Sequence, residues 1–272
     1  MSNLRLEGKV AIIVGAGQQP GESVGNGRAT AERFSQEGAT LLLVDIQGDW
    51  LNETLSAVQK YGHTASALVA DITDENACKE MIQTCIDRYG RIDILHNNVG
   101  MSKGDKKTAD LEIDTWDRLM GLNLRGMLMT CKHAIPQMIK QRSGCIINVS
   151  STASLAARPT VTYKTSKAGV NALTQHIAIE NAGFGIRANA ILPGLIDTPM
   201  AINRRAQERG VSSDVIRAER NALVPMGFMG SAWDVANAAV FLASEEARYI
   251  SGVLLPVDGG LLQKTRLIFE II

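Results

Sequence analysis

The 272 residues contain no run of 18 or more apolar residues, the length a membrane-spanning helix requires. They hold no charge excess either. The 28 Lys and Arg balance 28 Asp and Glu, so nothing favours nucleic acid or an anionic membrane as partner. No CxxC pair occurs, and no His stands at zinc spacing from Cys78, Cys85, Cys131 or Cys145. Neither a metal site nor a disulfide framework is expected; the thiols are expected reduced and mostly buried. No Pro-, Gly- or Ser-rich stretch marks a linker, which predicts one domain over 1–272. The opening "MSNLRLEGKVAIIVGAG" has no signal-peptide cleavage pattern, so a cytoplasmic protein is expected.

What is present is alternation. Short aliphatic runs ("VAIIVG", "TLLLVD", "TASALVAD", "DILHNNVG", "GCIINVSS", "IRANAILPG", "GVLLPVDGG") are separated by longer amphipathic stretches. Continuous aliphatic strands, each followed by a helix, predict a parallel sheet covered on both faces. The expected fold is α/β: a doubly wound Rossmann-type domain with about seven strands and helices on both sides.

In such folds ligands sit at the carboxyl ends of the strands. After the first run comes "GAGQQPGESVGNGRA" (15–29), with glycines at Gly15, Gly17, Gly25 and Gly27 and a helix from about Arg28. The free N–H groups and positive dipole of that helix attract phosphate, and glycine lets the backbone approach it. Asp45 ends the second run, 18 residues beyond Gly27, near the spacing of a carboxylate that accepts from adenosine ribose hydroxyls. Such a carboxylate repels a 2′-phosphate, which favours NAD over NADP. An N-cap for the next helix is the plainer reading of Asp45.

The motifs in order, the glycine loop, "NNVG" (97–100), Asn123, "NVSS" (148–151), "YKTSK" (163–167), "PG" (193–194) and "DGG" (258–260), resemble those of the short-chain dehydrogenase/reductase family. The resemblance runs from about Leu6 to Gly260. Against the family pattern the glycine loop is lengthened, with nine residues between Gly15 and Gly25. "QQPGES" reads as an insertion that bulges outward, at small entropic cost. A reshaped or covered cofactor site is the alternative.

Tyr163 and Lys167 stand four apart, on one face of a helix. A nearby ammonium favours phenolate and fits Tyr163 for acid–base work. The resemblance implies further roles. Lys167 would also bond the nicotinamide ribose, and Asn123 would hold a water linking the lysine to solvent; an ordinary buried Asn is the alternative. A serine would donate to the substrate oxygen. The usual family spacing to the tyrosine points to Ser150, whereas aligning the strand "CIINVSS" points to Ser151, which is preferred. Asp71 resembles the carboxylate that accepts from the adenine amino group. Asn98 and Gly100 would line the adenosine side, Pro193 and Gly194 lie beneath the nicotinamide, Ile196 bond its carboxamide through the backbone, and Thr198 stand nearby. No catalytic role is expected for His63, His96, His133 or His176.

Residues 199–224 fall where the family places its substrate lid and contain Arg204, Arg205, Arg209, Arg217 and Arg220. Their charges either recognise an acidic substrate group or, the preferred reading, solvate an exposed helical face. "SKGDKKTADLEID" is a second polar loop that could border the substrate mouth. The expected activity is hydride transfer between NAD(H) and a secondary alcohol or ketone, without metal. Alternatives are reduction of a C=C or C=N bond and a non-catalytic dinucleotide sensor. The resemblance implies a homo-oligomer, dimer or tetramer, with the tail "TRLIFEII" either at a subunit contact or packed on its own domain.

Overall fold

The computed structural model describes residues 4–156 and 159–264, so "TRLIFEII" lies outside the described residues. The strands are β1 (Val10–Val14), β2 (Thr40–Asp45), β3 (Ala65–Val69), β4 (Ile94–Asn97), β5 (Gly144–Val149), β6 (Ile186–Pro193), the short β7 (Ile196–Asp197) and β8 (Gly230–Ser231), and β9 (Leu254–Val257). Seven form one parallel sheet in the order β3-β2-β1-β4-β5-β6-β9, while β7 and β8 pair with each other.

Alternation along each strand divides the core into two layers. On one face Ala11, Ile13, Leu41, Leu43 and Ile147 meet α1 (Asn26–Gln36), α2 (Gly48–Gln59) and α9 (Ala232–Ala243). On the other, Val10, Ile12, Leu42, Leu95 and Ile146 meet α3 (Glu75–Tyr89), α5 (Gly126–Gln141) and α6 (Thr162–Asn181). Both faces are apolar because both are covered. All four cysteines are buried and unpaired, and three of them, Cys78, Cys85 and Cys131, fill the second layer.

Sheet order reverses between β1 and β4, and their carboxyl ends open a crevice there. Four polar side chains fix the geometry beneath it. Thr130 donates to Asn97, Asn97 to Asn148, and Asn148 to Thr174, each at 2.9 Å and buried. This chain ties β4 and β5 to α5 and α6, and a fully satisfied buried network of this kind specifies one arrangement.

The stretch between β4 and β5 is not one continuous helix. The long helix through "WDRLMGLNLRGMLMTCKH" is interrupted: α4 (Ile113–Met120) passes through a π-helical turn, Gly121–Arg125, before α5 begins. The Gly126 N–H there bonds to Gly121 O, five residues back. Residues 199–224 hold α7 (Pro199–Arg209) and α8 (Ser213–Leu223), which share a small apolar cluster of Leu195, Ile202, Ala206, Ile216, Val224 and Met229.

Candidate active site

The glycine loop is a cradle with little room for side chains at Gly15, Gly17 and Gly27. Gly15 holds φ +80°, a conformation that L side chains rarely adopt. A Cβ on Gly27 would lie 1.9 Å from Gly15 O, and one on Gly17 would lie 2.8 Å from the Asp45 carboxyl carbon. The Gly17 N–H donates to Asp45 Oδ2 at 2.9 Å and the Gln47 N–H to Oδ1 at 3.0 Å. Gln47, not Asp45, is the N-cap of α2. Asn98 donates to Gly15 O at 3.1 Å and so ties the end of β4 to the loop. At the start of α1, the buried Asn26 Oδ1 has no hydrogen-bond partner among the described residues. A glycine cradle against a helix N-terminus, with a carboxylate at the end of β2, fits a dinucleotide.

The insertion is stapled at its base. Gln18, almost fully buried, accepts from the Gly25 N–H at 3.0 Å and thereby restores the loop that the extra residues opened. Its tip is exposed but does not project freely. Asn203 on α7 donates to Pro20 O at 3.4 Å, Gly21 packs against Pro199, and Arg217 on α8 pairs with Glu22 at 3.0 Å. The outward bulge therefore leans on the two helices of 199–224.

Across the crevice, α6 presents Tyr163 and Lys167. Lys167 is 2% exposed, with its Nζ donating to Val149 O at 2.8 Å and Val99 O at 3.2 Å. Burial among these groups pushes its ammonium down to about 7. Its Nζ lies 5.9 Å from the Tyr163 ring centre. A Cβ on Gly100 would fall 2.9 Å from that Nζ, so a side chain there would push the lysine aside.

The two serines are distinguished by their partners. Ser150 donates its hydroxyl to Lys167 O at 3.0 Å, inside α6. Ser151 Oγ accepts from the Ala153 N–H at 3.1 Å, which leaves its own O–H to donate elsewhere. Asn123, wholly buried in the π turn, spends its amide on the Met101 peptide, accepting from N and donating to O at 2.8 Å each. It also donates to Ser166 at 3.1 Å.

One cleft of about 720 Å³ joins these groups. Gly15, Gly25, Gly27, Asp45, Asp71, Asn98 and Gly100 line the end beside β1, β2 and β4. Ser151, Tyr163, Lys167, Pro193, Gly194, Ile196 and Thr198 line the rest, and Asn123 stands behind the wall. Gly194 is pressed on "DGG": a Cβ there would meet Asp258 Cβ at 2.6 Å, and Asp258 itself accepts from Gly260 and Leu262 N–H. Thr198 accepts from the Ala201 N–H as the N-cap of α7, with Pro199 at the first helical position.

A family model described as Enoyl-(Acyl carrier protein) reductase matches residues 22–262. The 3-oxoacyl-(acyl-carrier-protein) reductase of Thermotoga maritima is 37% identical over 262 residues, covering 95% of this chain and 100% of that protein. A short-chain dehydrogenase/reductase from Burkholderia xenovorans superposes with TM-score 0.91 at 36% identity, covering 96% and 99% of the two chains. Carveol dehydrogenase from Mycobacterium avium in complex with NAD gives 0.88 at 30% identity, covering 96% and 99%. The chain belongs to the short-chain dehydrogenase/reductase family. As a short-chain dehydrogenase/reductase it is an oxidoreductase that acts on CH–OH groups with a nicotinamide dinucleotide.

This short-chain dehydrogenase/reductase carries one site residue that sequence reasoning did not reach. Asp105, in the polar loop after β4, accepts from the Thr162 N–H at 3.0 Å and the Tyr163 N–H at 2.8 Å, capping α6. Burial opposes its ionisation, but those N–H groups and the Thr162 and Thr160 hydroxyls outweigh it and hold the carboxyl below the ordinary value of 3.8. No local signal marks the cap, because Asp105 and Thr162 are 57 residues apart. Asp105→Ala should cost about 1 kcal/mol of stability, the usual worth of a cap. Because the folded pKa is depressed, that stabilisation is complete above the unfolded value and disappears as pH falls through the folded one. Thermal melts of both proteins at neutral pH and in strong acid check this: the gap should close only in acid.

Proposed function

We propose that the protein interconverts a secondary alcohol and its ketone with NAD(H). The observation that carries this reading is the convergence of Ser151, Tyr163 and Lys167 on the cleft that the glycine cradle opens. The nicotinamide, when bound, supplies or receives the hydride. In oxidation, Tyr163 Oη takes the hydroxyl proton of the alcohol; in reduction it returns that proton to the carbonyl oxygen. The Lys167 ammonium beside it favours the phenolate and bonds the nicotinamide ribose. Ser151 donates to the substrate oxygen and stabilises the charge that develops there. Asn123 holds a water that links Lys167 to bulk solvent, the route by which the proton reaches or leaves the site.

For the dinucleotide, Gly15, Gly25 and Gly27 approach the pyrophosphate and Asp45 accepts from the adenosine ribose. Asp71, Asn98 and Gly100 complete the adenosine side. Pro193, Gly194, Ile196 and Thr198 hold the nicotinamide. Asp45 is the ground for NAD over NADP, because a 2′-phosphate beside its carboxylate would be repelled. The reading includes one domain with 199–224 as a substrate lid, in a cytoplasmic homo-oligomer whose size light scattering would give.

Cofactor reduction followed by nicotinamide absorbance, across sugars, cyclic and aryl alcohols, hydroxy acids and dihydrodiols, tests the proposal. Turnover with NAD well above that with NADP is the expected result. A second reading, reduction of an activated C=C or C=N bond, is favoured by the description of the matched family model. Turnover of enones or imines but not of ketones would select it. Tight NAD binding without turnover of any substrate would select a dinucleotide sensor instead.

A further inference from the structure

The five arginines of 199–224 are not equivalent. Arg209 is paired with Glu219 across the outer surface, and Arg217 with Asp197, Asp214 and Glu22. Those two are spent on holding the segment together. Arg204, Arg205 and Arg220 instead line the substrate end of the cleft. Positions 200, 201, 204, 205 and 208 recur on one face of α7, so the helix itself turns this face inward.

Arg204 is the informative member. Its Nε is buried and has no hydrogen-bond partner among the described residues. It forms a long ion pair with Glu208 Oε1, 3.6 Å away one turn on, the two side chains being 26% and 60% exposed. Its Nη2 donates only to a neutral hydroxyl, Ser102 Oγ, at 3.3 Å. A guanidinium offers five donors in a planar fork suited to a carboxylate, sulfonate or phosphate. The Nε donor, buried and without a hydrogen bond among the described residues, carries a desolvation cost that an incoming anion recovers. The surrounding charge has the same sense. At this end of the cleft Lys103, Arg204, Arg205 and Arg220 outnumber Asp105 and Glu208, and the Asp105 carboxylate already accepts two backbone N–H bonds from α6.

We infer that the substrate is a secondary alcohol or ketone carrying an anionic group, and that Arg204 receives that group. This rests on the alcohol/ketone reading of the site and deepens it. Charge-assisted hydrogen bonds of this kind are worth about 10- to 100-fold in affinity.

The test pairs uncharged secondary alkanols with hydroxyalkanoates, hydroxyalkyl sulfonates and hydroxyalkyl phosphates of equal chain length. An anionic series should show a KM about 10- to 100-fold lower than the alkanols. Arg204→Gln should abolish that preference, Arg204→Lys should keep part of it, and Arg209→Gln should leave it intact. Which anion has the lowest KM identifies the headgroup. Equal KM for charged and uncharged alcohols, or a preference that survives in Arg204→Gln, overturns the inference.

A binding arm separates this from failure of the alcohol reading. Alkyl carboxylates, sulfonates and phosphates that lack a hydroxyl are titrated into the NAD-loaded enzyme by calorimetry. Binding that is lost in Arg204→Gln supports the anion site even if no alcohol turns over. No binding of any of the three, with NAD bound, overturns it.

Discussion

Replacing Tyr163 with Phe should lower kcat/KM for alcohol oxidation by about 100- to 10,000-fold, the usual contribution of a positioned general acid or base. Dinucleotide affinity should stay within a few-fold. The reason lies in where the ring is held. α6 starts at Thr162, capped by Asp105, and Lys167 Nζ is fixed by the carbonyls of Val149 and Val99. Phe keeps the ring and its packing but removes the one atom that takes the proton. Stopped-flow cofactor binding alongside steady-state rates separates the effects. A Tyr163→Phe enzyme with undiminished turnover would remove Tyr163 from the chemistry. One that loses turnover together with NAD binding would mean that the hydroxyl holds the cofactor site together. Lys167→Met provides a contrast, because it removes donors to two backbone carbonyls and should weaken stability as well as rate.

The fold was legible because both faces of the sheet are covered. Strands such as "VAIIV" and "TLLLV" are apolar throughout, and their parallel order follows from the helices between them. Tyr163 and Lys167 were legible for a local reason, four residues on one helix face. What escaped depends on distance or on hydrogen-bond partners. The choice between Ser150 and Ser151 rested on alignment alone; in the structure, the Ser150 hydroxyl is occupied by a carbonyl of α6. The π turn at Gly121–Arg125 is set by an i→i+5 backbone bond that no side-chain pattern announces. The insertion was read as a bulge, but its seat on α7 and α8 joins residues almost 200 positions apart, as the Glu22–Arg217 pair does. The charge pattern of 199–224 suits either an acidic substrate group or a solvated face; the structure places Arg204, Arg205 and Arg220 in the cleft lining and pairs Arg209 and Arg217 with carboxylates outside it.

Gly27→Ala and Gly25→Ala should behave differently, although the two glycines belong to one motif. An alanine Cβ at Gly27 would meet a backbone oxygen at 1.9 Å and the Asn98 amide at 2.8 Å. Neither can yield by a rotamer change, because Gly15 O is main chain and Asn98 is bonded to it. The start of α1 must therefore move away from β1, which dismantles the phosphate site. Loss of measurable NAD binding is the expected result, with a fall in melting temperature from the same displacement. At Gly25 the backbone holds φ −81° and ψ 152°, open to any residue, and the nearest atom to an added Cβ is Gln18 Cγ at 3.8 Å. Gly25→Ala should melt within a few degrees of the parent, because nothing in the fold opposes the methyl. Any loss of NAD affinity in it would then report a ligand that approaches the backbone more closely than a methyl allows, not damage to the scaffold. Calorimetric titration with NAD and a melting curve on both variants check the contrast. Equal affinity and stability in Gly27→Ala and the parent would show that the loop relaxes around a side chain, and that the cradle geometry does not govern dinucleotide binding.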